Sequence, residues 1–181
     1  MKEVDVLLQS GVILYPTDTI WGIGCDATNP AAIEKVINIK GKGRANKSLI
    51  VLVADMDMLE EYVEVPAAAL NLMQSAKEPL TIIYPTVRNL PLHLLSNNNS
   101  LGIRIVQHSY CQQLIRTLGK PMVSTSANLS GQPSPLSFDG IDLNIKHSVD
   151  YIADIEHNKI SDFACSAIFL IDDNGSTTKI R

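Results

Sequence analysis

The chain has 181 residues, of which 45% are hydrophobic and 19% are charged, and its formal net charge at pH 7 is −4. This length and apolar content predict one domain, residues 1–181, with a sizeable core, and they exclude a chain that stays disordered. The acidic balance argues against a protein that coats nucleic acid non-specifically.

The cysteine pattern and the N-terminal residues indicate the cellular compartment of the protein. Cys25, Cys111 and Cys165 are odd in number, widely spaced and form no C-x-x-C pair, so neither a disulfide framework nor a zinc site is indicated. Free cysteines suit a reducing compartment. Residues 1–5 are too acidic for a signal peptide, and no apolar run approaches the length of a membrane span. We therefore expect a soluble, cytoplasmic protein that does not enter a membrane.

The first elements in chain order are a short helix at residues 3–10 and a buried strand at Val12–Tyr15. Pro16 ends that strand because proline cannot donate a hydrogen bond to a sheet. Asn29 and Pro30 predict the start of a helix, since they supply an N-cap residue and a proline at its first position. After a glycine-containing basic segment, Leu49–Val53 is the clearest buried strand.

The remaining elements alternate in the same way. Asp55 is predicted to cap a helix through Tyr62, a second helix runs from Pro66 to Ala76, and Ser109 is predicted to cap a third that ends at Gly119. Strands are predicted at Leu80–Tyr84, Leu101–Val106, Pro121–Ser124, Val149–Ala153, Ala167–Ile171 and Thr178–Arg181. Strands alternating with helices predict an α/β fold with a parallel or mixed sheet, and the late strands, which have no helices between them, predict an antiparallel portion.

Polar groups follow the first strand directly. Thr17, Asp18 and Thr19 lie where open α/β sheets bind ligands, just past the carboxyl end of a strand. Gly22 and Gly24 allow the backbone to approach a ligand or another element closely. The alternative is an ordinary turn in which Asp18 and the threonines satisfy turn amides.

A basic segment follows the second predicted helix. No acidic residue lies between Glu34 and Asp55, whereas five residues there are basic: Lys35, Lys40, Lys42, Arg44 and Lys47. On an acidic protein such a local excess suits an anionic ligand, although a solvated basic loop is the alternative.

Two further groups are candidates for ligand binding. Arg104 lies inside an apolar strand and needs a ligand or a partner there, for which a core carboxylate such as Asp18 and exposure at a sheet edge are the alternatives. Residues 124–130 include five small polar side chains, which can bind a phosphate or a carboxylate. The alternative is a helix cap or a serine-rich turn. The four histidines have no metal-ligand spacing.

Three blocks carry a family resemblance: Tyr15-Pro16-Thr17-Asp18-Thr19 with Gly22-Ile23-Gly24-Cys25-Asp26, the lysine-rich segment 40–47, and Ser124-Thr125-Ser126-Ala127-Asn128-Leu129-Ser130-Gly131. In this order and at these intervals the sequence resembles the YrdC/Sua5 family, over nearly the whole chain. The resemblance implies a YrdC-like fold, a single-domain twisted open mixed sheet with flanking helices. It also implies the synthesis of L-threonylcarbamoyladenylate from L-threonine, bicarbonate and ATP.

The resemblance also assigns roles to individual residues. It implies that threonine is bound by Thr19, Arg104, Ser124 and Ser166. It implies that ATP is bound by Lys40, Lys42 or Arg44, Lys47, Ser100, Ser126, Asn128, Ser134 and Arg181. Lys40, Arg44, Ser126 and Asn128 are the expected catalytic residues. The basic segment departs from the family's K-x-R pattern by one extra residue, so Lys42 and Arg44 are rivals for the arginine position. Cys165-Ser166-Ala167 replaces the family's P-S-T.

The expected partners follow from the same resemblance. Mg²⁺ would enter with ATP, pyrophosphate would be released, and the product would feed a separate transferase that modifies adenosine in tRNA. Contact with tRNA or double-stranded RNA is a further expectation. The alternative function is a non-catalytic family member that binds RNA or nucleotide.

Overall fold

The computed structural model describes residues 1–41, 49–96, 98–160 and 165–181. The helices of this part are α1 (Lys2–Leu8), α2 (Pro30–Ile39), α3 (Met56–Glu60), α4 (Ala67–Ser75), α5 (Ser109–Leu118) and α6 (Leu143–Ser148). The strands are β1 (Ile13–Tyr15), β2 (Gly22–Asp26), β3 (Ile50–Val53), β4 (Leu80–Tyr84), β5 (Leu101–Ile105), β6 (Met122–Ser126), β7 (Tyr151–Ile152), β8 (Ala167–Ile171) and β9 (Thr177–Lys179).

These strands form one open, mixed sheet in the order β7-β1-β2-β6-β3-β5-β4-β8-β9. The pairs β1–β7, β3–β5 and β4–β8 are parallel, and the other neighbours are antiparallel. The predicted α/β fold with a mixed sheet is confirmed, and so is the antiparallel portion late in the chain, which is the β8–β9 pair.

Both faces of the sheet carry apolar side chains, because successive residues of a strand point to opposite faces. On one face Val51, Ile103 and Val123 belong to a core cluster with Ile33 and Val36 of α2. On the other face a second cluster contains Leu52 and Met122 of the sheet, Leu7 of α1 and Leu114 of α5. Arg104 is the register partner of Leu52, so it projects from this second face.

Local capping explains where several helices begin and end. The Asn29 side chain accepts hydrogen bonds from the amides of Ala31 and Ala32, as the predicted N-cap requires. Asp55 caps α3 in the same manner, and Gly119 ends α5 with a φ of 69°. The prediction that Ser109 caps α5 was wrong. Ser109 is already the first helical residue, and the preceding His108 makes no capping hydrogen bond through its side chain.

Strand β2 is the main element that the prediction missed. Glycine has a low strand propensity, and no strand was predicted at Gly22–Asp26. The structure needs glycine there because β2 lies between β1 and β6: a Cβ atom on Gly24 would lie 2.4 Å from the carbonyl oxygen of Val123 and 2.7 Å from a ring carbon of Tyr15. Strand β6 ends two residues later than predicted, so Thr125 and Ser126 lie within the strand and not after it.

We expect Gly24→Ala to lower the free energy of unfolding by about 1–3 kcal/mol or more, because the new methyl group would meet backbone that cannot move without separating β2 from β6. Denaturant unfolding followed by circular dichroism measures this change. Gly140→Ala is the matched control, since its added Cβ would be 3.5 Å or more from its neighbours. Equal stabilities for the two variants would contradict the close approach at Gly24.

Candidate active site

A cavity of about 370 Å³ lies on the sheet face that carries Arg104. Ten serine and threonine residues and two arginines line it, and no carboxylate is found among its described lining residues. Such a cavity suits a ligand that carries negative charge and several hydrogen-bonding groups. The lining residues include eight of those that the family resemblance selected: Thr19, Ser100, Arg104, Ser124, Ser126, Ser134, Ser166 and Arg181.

Arg104 forms an ion pair with a buried carboxylate. Its side chain is 3% exposed, and its Nη2 atom lies 3.2 Å from Oδ1 of Asp18, whose side chain is 5% exposed. The other carboxylate oxygen of Asp18 accepts a hydrogen bond of 2.9 Å from the amide of Gln107. The Arg104 Nε atom has no hydrogen-bond partner among the described residues. The partner anticipated for Arg104 is therefore present, and the guanidinium still has donor capacity for a ligand in the cavity.

The two threonines of the first motif have different surroundings. Thr17 donates to the carbonyl of Ile20 at 2.7 Å and accepts from the amide of Thr19 at 3.1 Å, which stabilises the turn. Thr19 accepts a hydrogen bond of 3.4 Å from Nη1 of Arg104. Thr17 thus has the turn-forming role of the alternative interpretation, while Thr19 lies beside the cation.

Lys40, the C-cap residue of α2, contacts the polar segment 124–130. Its Nζ atom donates to the carbonyl oxygen of Ser126 at 2.7 Å, to the side-chain oxygen of Asn128 at 3.1 Å and to the backbone carbonyl of Asn128. The Ser126 hydroxyl also donates to the Asn128 side chain. The structure therefore brings Lys40 into contact with two predicted site residues, Ser126 and Asn128, that lie 86 and 88 positions further along the chain, although these contacts use the donors of Lys40. Desolvation by burial lowers the pKa of Lys40 to about 8.

A buried hydroxyl pair next to Arg104 joins the predicted residue Ser166 to Thr81, which the sequence did not single out. The hydroxyls of Thr81 and Ser166 are 2.8 Å apart and buried. Arg181 donates from Nε to the carbonyl oxygen of Ser166 at 3.1 Å, which joins the C-terminal residue to this wall of the cavity. The signal for Thr81 was weak, because one threonine in an apolar strand is ordinary.

Some predictions fall outside the described residues. Lys42, Arg44 and Lys47 belong to the segment 42–48, so their roles, and the rivalry between Lys42 and Arg44, stay predictions. Within the described ranges, no group of three or more histidine, cysteine, aspartate or glutamate side chains could hold a metal ion. No helix among those residues is long and apolar enough to cross a membrane.

A second, larger cavity of about 640 Å³ opens on the other face of the sheet. Its lining includes apolar side chains such as Ile82 and Ile103, and both cations and carboxylates such as Lys77 and Glu156. The segment Thr17–Trp21 borders both cavities. Among the described residues that line this second cavity, Thr19 is the one to which the family resemblance assigned a role, whereas the first cavity has eight such residues, so the first cavity is the candidate active site.

The fold and the cavity define an α/β protein with an open mixed sheet and a polar cavity on one face. The family model for Sua5, YciO and YrdC proteins, described as telomere recombination, matches residues 5–181. The chain is 33% identical over 159 residues to the threonylcarbamoyl-AMP synthase of Xanthomonas euvesicatoria, covering 86% of this chain and 84% of that one. It is 35% identical over 136 residues to the same enzyme of an Enterobacter species, covering 73% and 71% of the two chains. The chain belongs to the Sua5/YciO/YrdC family, and these relatives confirm the prediction of a nucleotidyltransferase-type enzyme.

Solved structures agree on the fold. E. coli YciO superposes with a TM-score of 0.84 at 24% identity, covering 99% of this chain and 86% of that one. P. abyssi Sua5, in a crystal structure complexed with L-threonine, superposes with a TM-score of 0.85 at 23% identity over 98% of this chain. This chain spans about half of that Sua5 chain, 52% of its length.

Proposed function

We propose that this protein is an L-threonylcarbamoyladenylate synthase, which joins L-threonine, bicarbonate or carbon dioxide, and ATP and releases pyrophosphate. The names of the curated relatives support this proposal. The observation that carries it is the composition of the cavity, in which Arg104 and Arg181 lie among many hydroxyls without a carboxylate among the described lining residues. Both the substrate carboxylate and the triphosphate are anions that such a lining stabilises.

In the cavity, Arg104 binds the carboxylate of threonine. The unpaired Nε atom supports this role, and Asp18 keeps the guanidinium in place without occupying the cavity. Thr19 lies nearer to the bound amino acid than Thr17 does, because it contacts Arg104 directly. Ser124 and Ser166 complete the threonine site.

The ATP phosphates are bound by Ser126 and Asn128 with Lys40, Ser100, Ser134 and Arg181, together with Lys47 and either Lys42 or Arg44. Ser100, Ser126, Ser134 and Arg181 line the cavity, and Lys40 and Asn128 adjoin it through their contacts with Ser126. Mg²⁺ prefers oxygen ligands and binds nucleotides largely through their phosphates. The hydroxyl oxygen of Ser126 could contact such an ion, which would offset charge on the phosphates, whereas the side-chain oxygen of Asn128 would first have to lose a hydrogen bond from Lys40 or Ser126. Because the described lining contains no carboxylate, the ion would enter with ATP.

The chemistry then needs little beyond positioning. The amine of threonine adds to carbon dioxide and loses a proton, which gives N-carboxythreonine. A carbamate oxygen forms a bond to the α-phosphorus of ATP, and the bond from that phosphorus to the bridging oxygen of pyrophosphate breaks. The cavity contributes by holding the two anions in line and by stabilising charge in the transition state.

Pyrophosphate release tests this proposal. We expect release only when threonine, bicarbonate and Mg²⁺–ATP are all present, and a loss of roughly 10²-fold in Ser126→Ala if its contacts act in the transition state. The alternative, a non-catalytic member that binds RNA or nucleotide, predicts retention of RNA without release. On our proposal the product passes to a transferase that modifies tRNA, so direct retention of tRNA or double-stranded RNA is measured in the same experiment.

A further inference from the structure

Thr17 and Thr19, of which Thr19 contacts Arg104, both use their hydroxyl protons in hydrogen bonds within the turn. Thr17 spends its proton on the carbonyl of Ile20, so Thr19 must be the donor in the 3.0 Å contact between the Thr17 and Thr19 hydroxyls. Thr19 also accepts from Arg104. Both protons of this pair are therefore already used.

Thr81 is a cross-strand neighbour of Arg104. The antiparallel register of β4 and β5 pairs Ile82 with Ile103, which sets Thr81 opposite Arg104 one step along the strands. Side chains at such positions have Cβ atoms about 5 Å apart and point to the same face. Thr81 is 0% exposed, and it lines the cavity together with Ser166.

One of the two hydroxyl protons of the Thr81–Ser166 pair has no acceptor within the pair. Two hydroxyls 2.8 Å apart use one proton between them, and the described residues provide no further partner for the second. A buried hydroxyl proton without an acceptor is costly, whereas a ligand hydroxyl placed there can both accept that proton and donate in return. The site is therefore built to receive a hydroxyl group within reach of the cation that binds a carboxylate.

We propose that Thr81 is a specificity-determining residue. Together with Ser166 it forms hydrogen bonds with the side-chain hydroxyl of the amino-acid substrate. This inference rests on the proposed function, in which Arg104 takes the carboxylate of the same molecule. A site that hydrogen-bonds a substrate hydroxyl rejects the analogue without it, because its own buried polar groups are then left unpaired. L-2-Aminobutyrate, which has the carbon skeleton of threonine without the hydroxyl, is that analogue.

Equilibrium titration with L-threonine and L-2-aminobutyrate tests the inference. We expect the wild type to prefer threonine, Thr81→Val to lose at least about tenfold of that preference, and Thr81→Ser, which restores a hydroxyl, to keep most of it. Thr86→Val is the matched control, because Thr86 is exposed beyond the end of β4. Circular dichroism checks that each variant is folded.

Two outcomes overturn the inference. An unchanged preference in Thr81→Val, or no preference in the wild type, excludes a hydroxyl-reading role. If Thr81→Val weakens the binding of both amino acids equally, the preference is also unchanged, and the pair binds a group common to both, such as a carboxylate oxygen. Failure of the proposed function is distinguishable, since it appears as the absence of pyrophosphate release from a wild type that still prefers threonine.

Discussion

Replacing Arg104 by alanine is expected to weaken threonine binding by roughly 10- to 150-fold while changing the ATP requirement much less. On the proposed function, the lost interaction is a charge-assisted contact to the substrate carboxylate, worth about 1.5–3 kcal/mol. The same change removes the partner of Asp18, whose side chain is 5% exposed. Because an uncompensated buried charge is unfavourable, we also expect the free energy of unfolding to fall by about 3–5 kcal/mol. Threonine titration and denaturant unfolding measure the two effects separately.

A double variant separates binding from folding. Asp18→Asn combined with Arg104→Met removes both buried charges and keeps side chains of similar size, so it should recover much of the lost stability. It should not recover threonine binding, because the cation is absent. Threonine affinity near that of the wild type in this folded double variant would show that Arg104 serves only as the partner of Asp18.

Replacing Lys40 by methionine is expected to weaken binding of a non-hydrolysable ATP analogue by roughly 10- to 100-fold at pH 7. The substitution removes a cation and also the donor to Ser126 and Asn128, so a phosphate contact and the order of this segment are lost together. Calorimetric titration measures the affinity. Lys35→Met is the matched control on the same helix, because the Lys35 side chain is 50% exposed and pairs with Asp150, which is not among the cavity's lining residues.

The pH dependence of this binding carries a second test. Burial lowers the pKa of Lys40 to about 8, so most Lys40 side chains are charged at pH 7 and most are neutral at pH 9. The affinity for the ATP analogue should therefore fall by up to roughly tenfold between these values. Arginine stays charged throughout this range, so Lys40→Arg should remove the decline. A decline of the same size in Lys40→Arg would assign it to another group.

Local sequence features determined much of the fold. Asn29 and Pro30 predict the start of α2, and Gly119 predicts the end of α5, because capping and left-handed backbone depend on residues next to each other in the chain. Apolar runs located β4 and β5 within one residue for the same reason. The spaced motifs resembled one family, and eight of the residues selected by that resemblance line one cavity.

Only the tertiary structure decided the features that depend on contacts between distant segments. Gly22–Asp26 is a strand because β1 and β6 lie on either side of it, although its glycines disfavour a strand locally. Asp18 and Arg104 pair across 86 positions of the chain, and their pairing also leaves a donor for the cavity. Thr81 lies beside Arg104 through the register of β4 and β5, which a single threonine in an apolar run does not reveal. Sequence patterns report local backbone preference, whereas the partner of a buried polar group is chosen when the strands assemble.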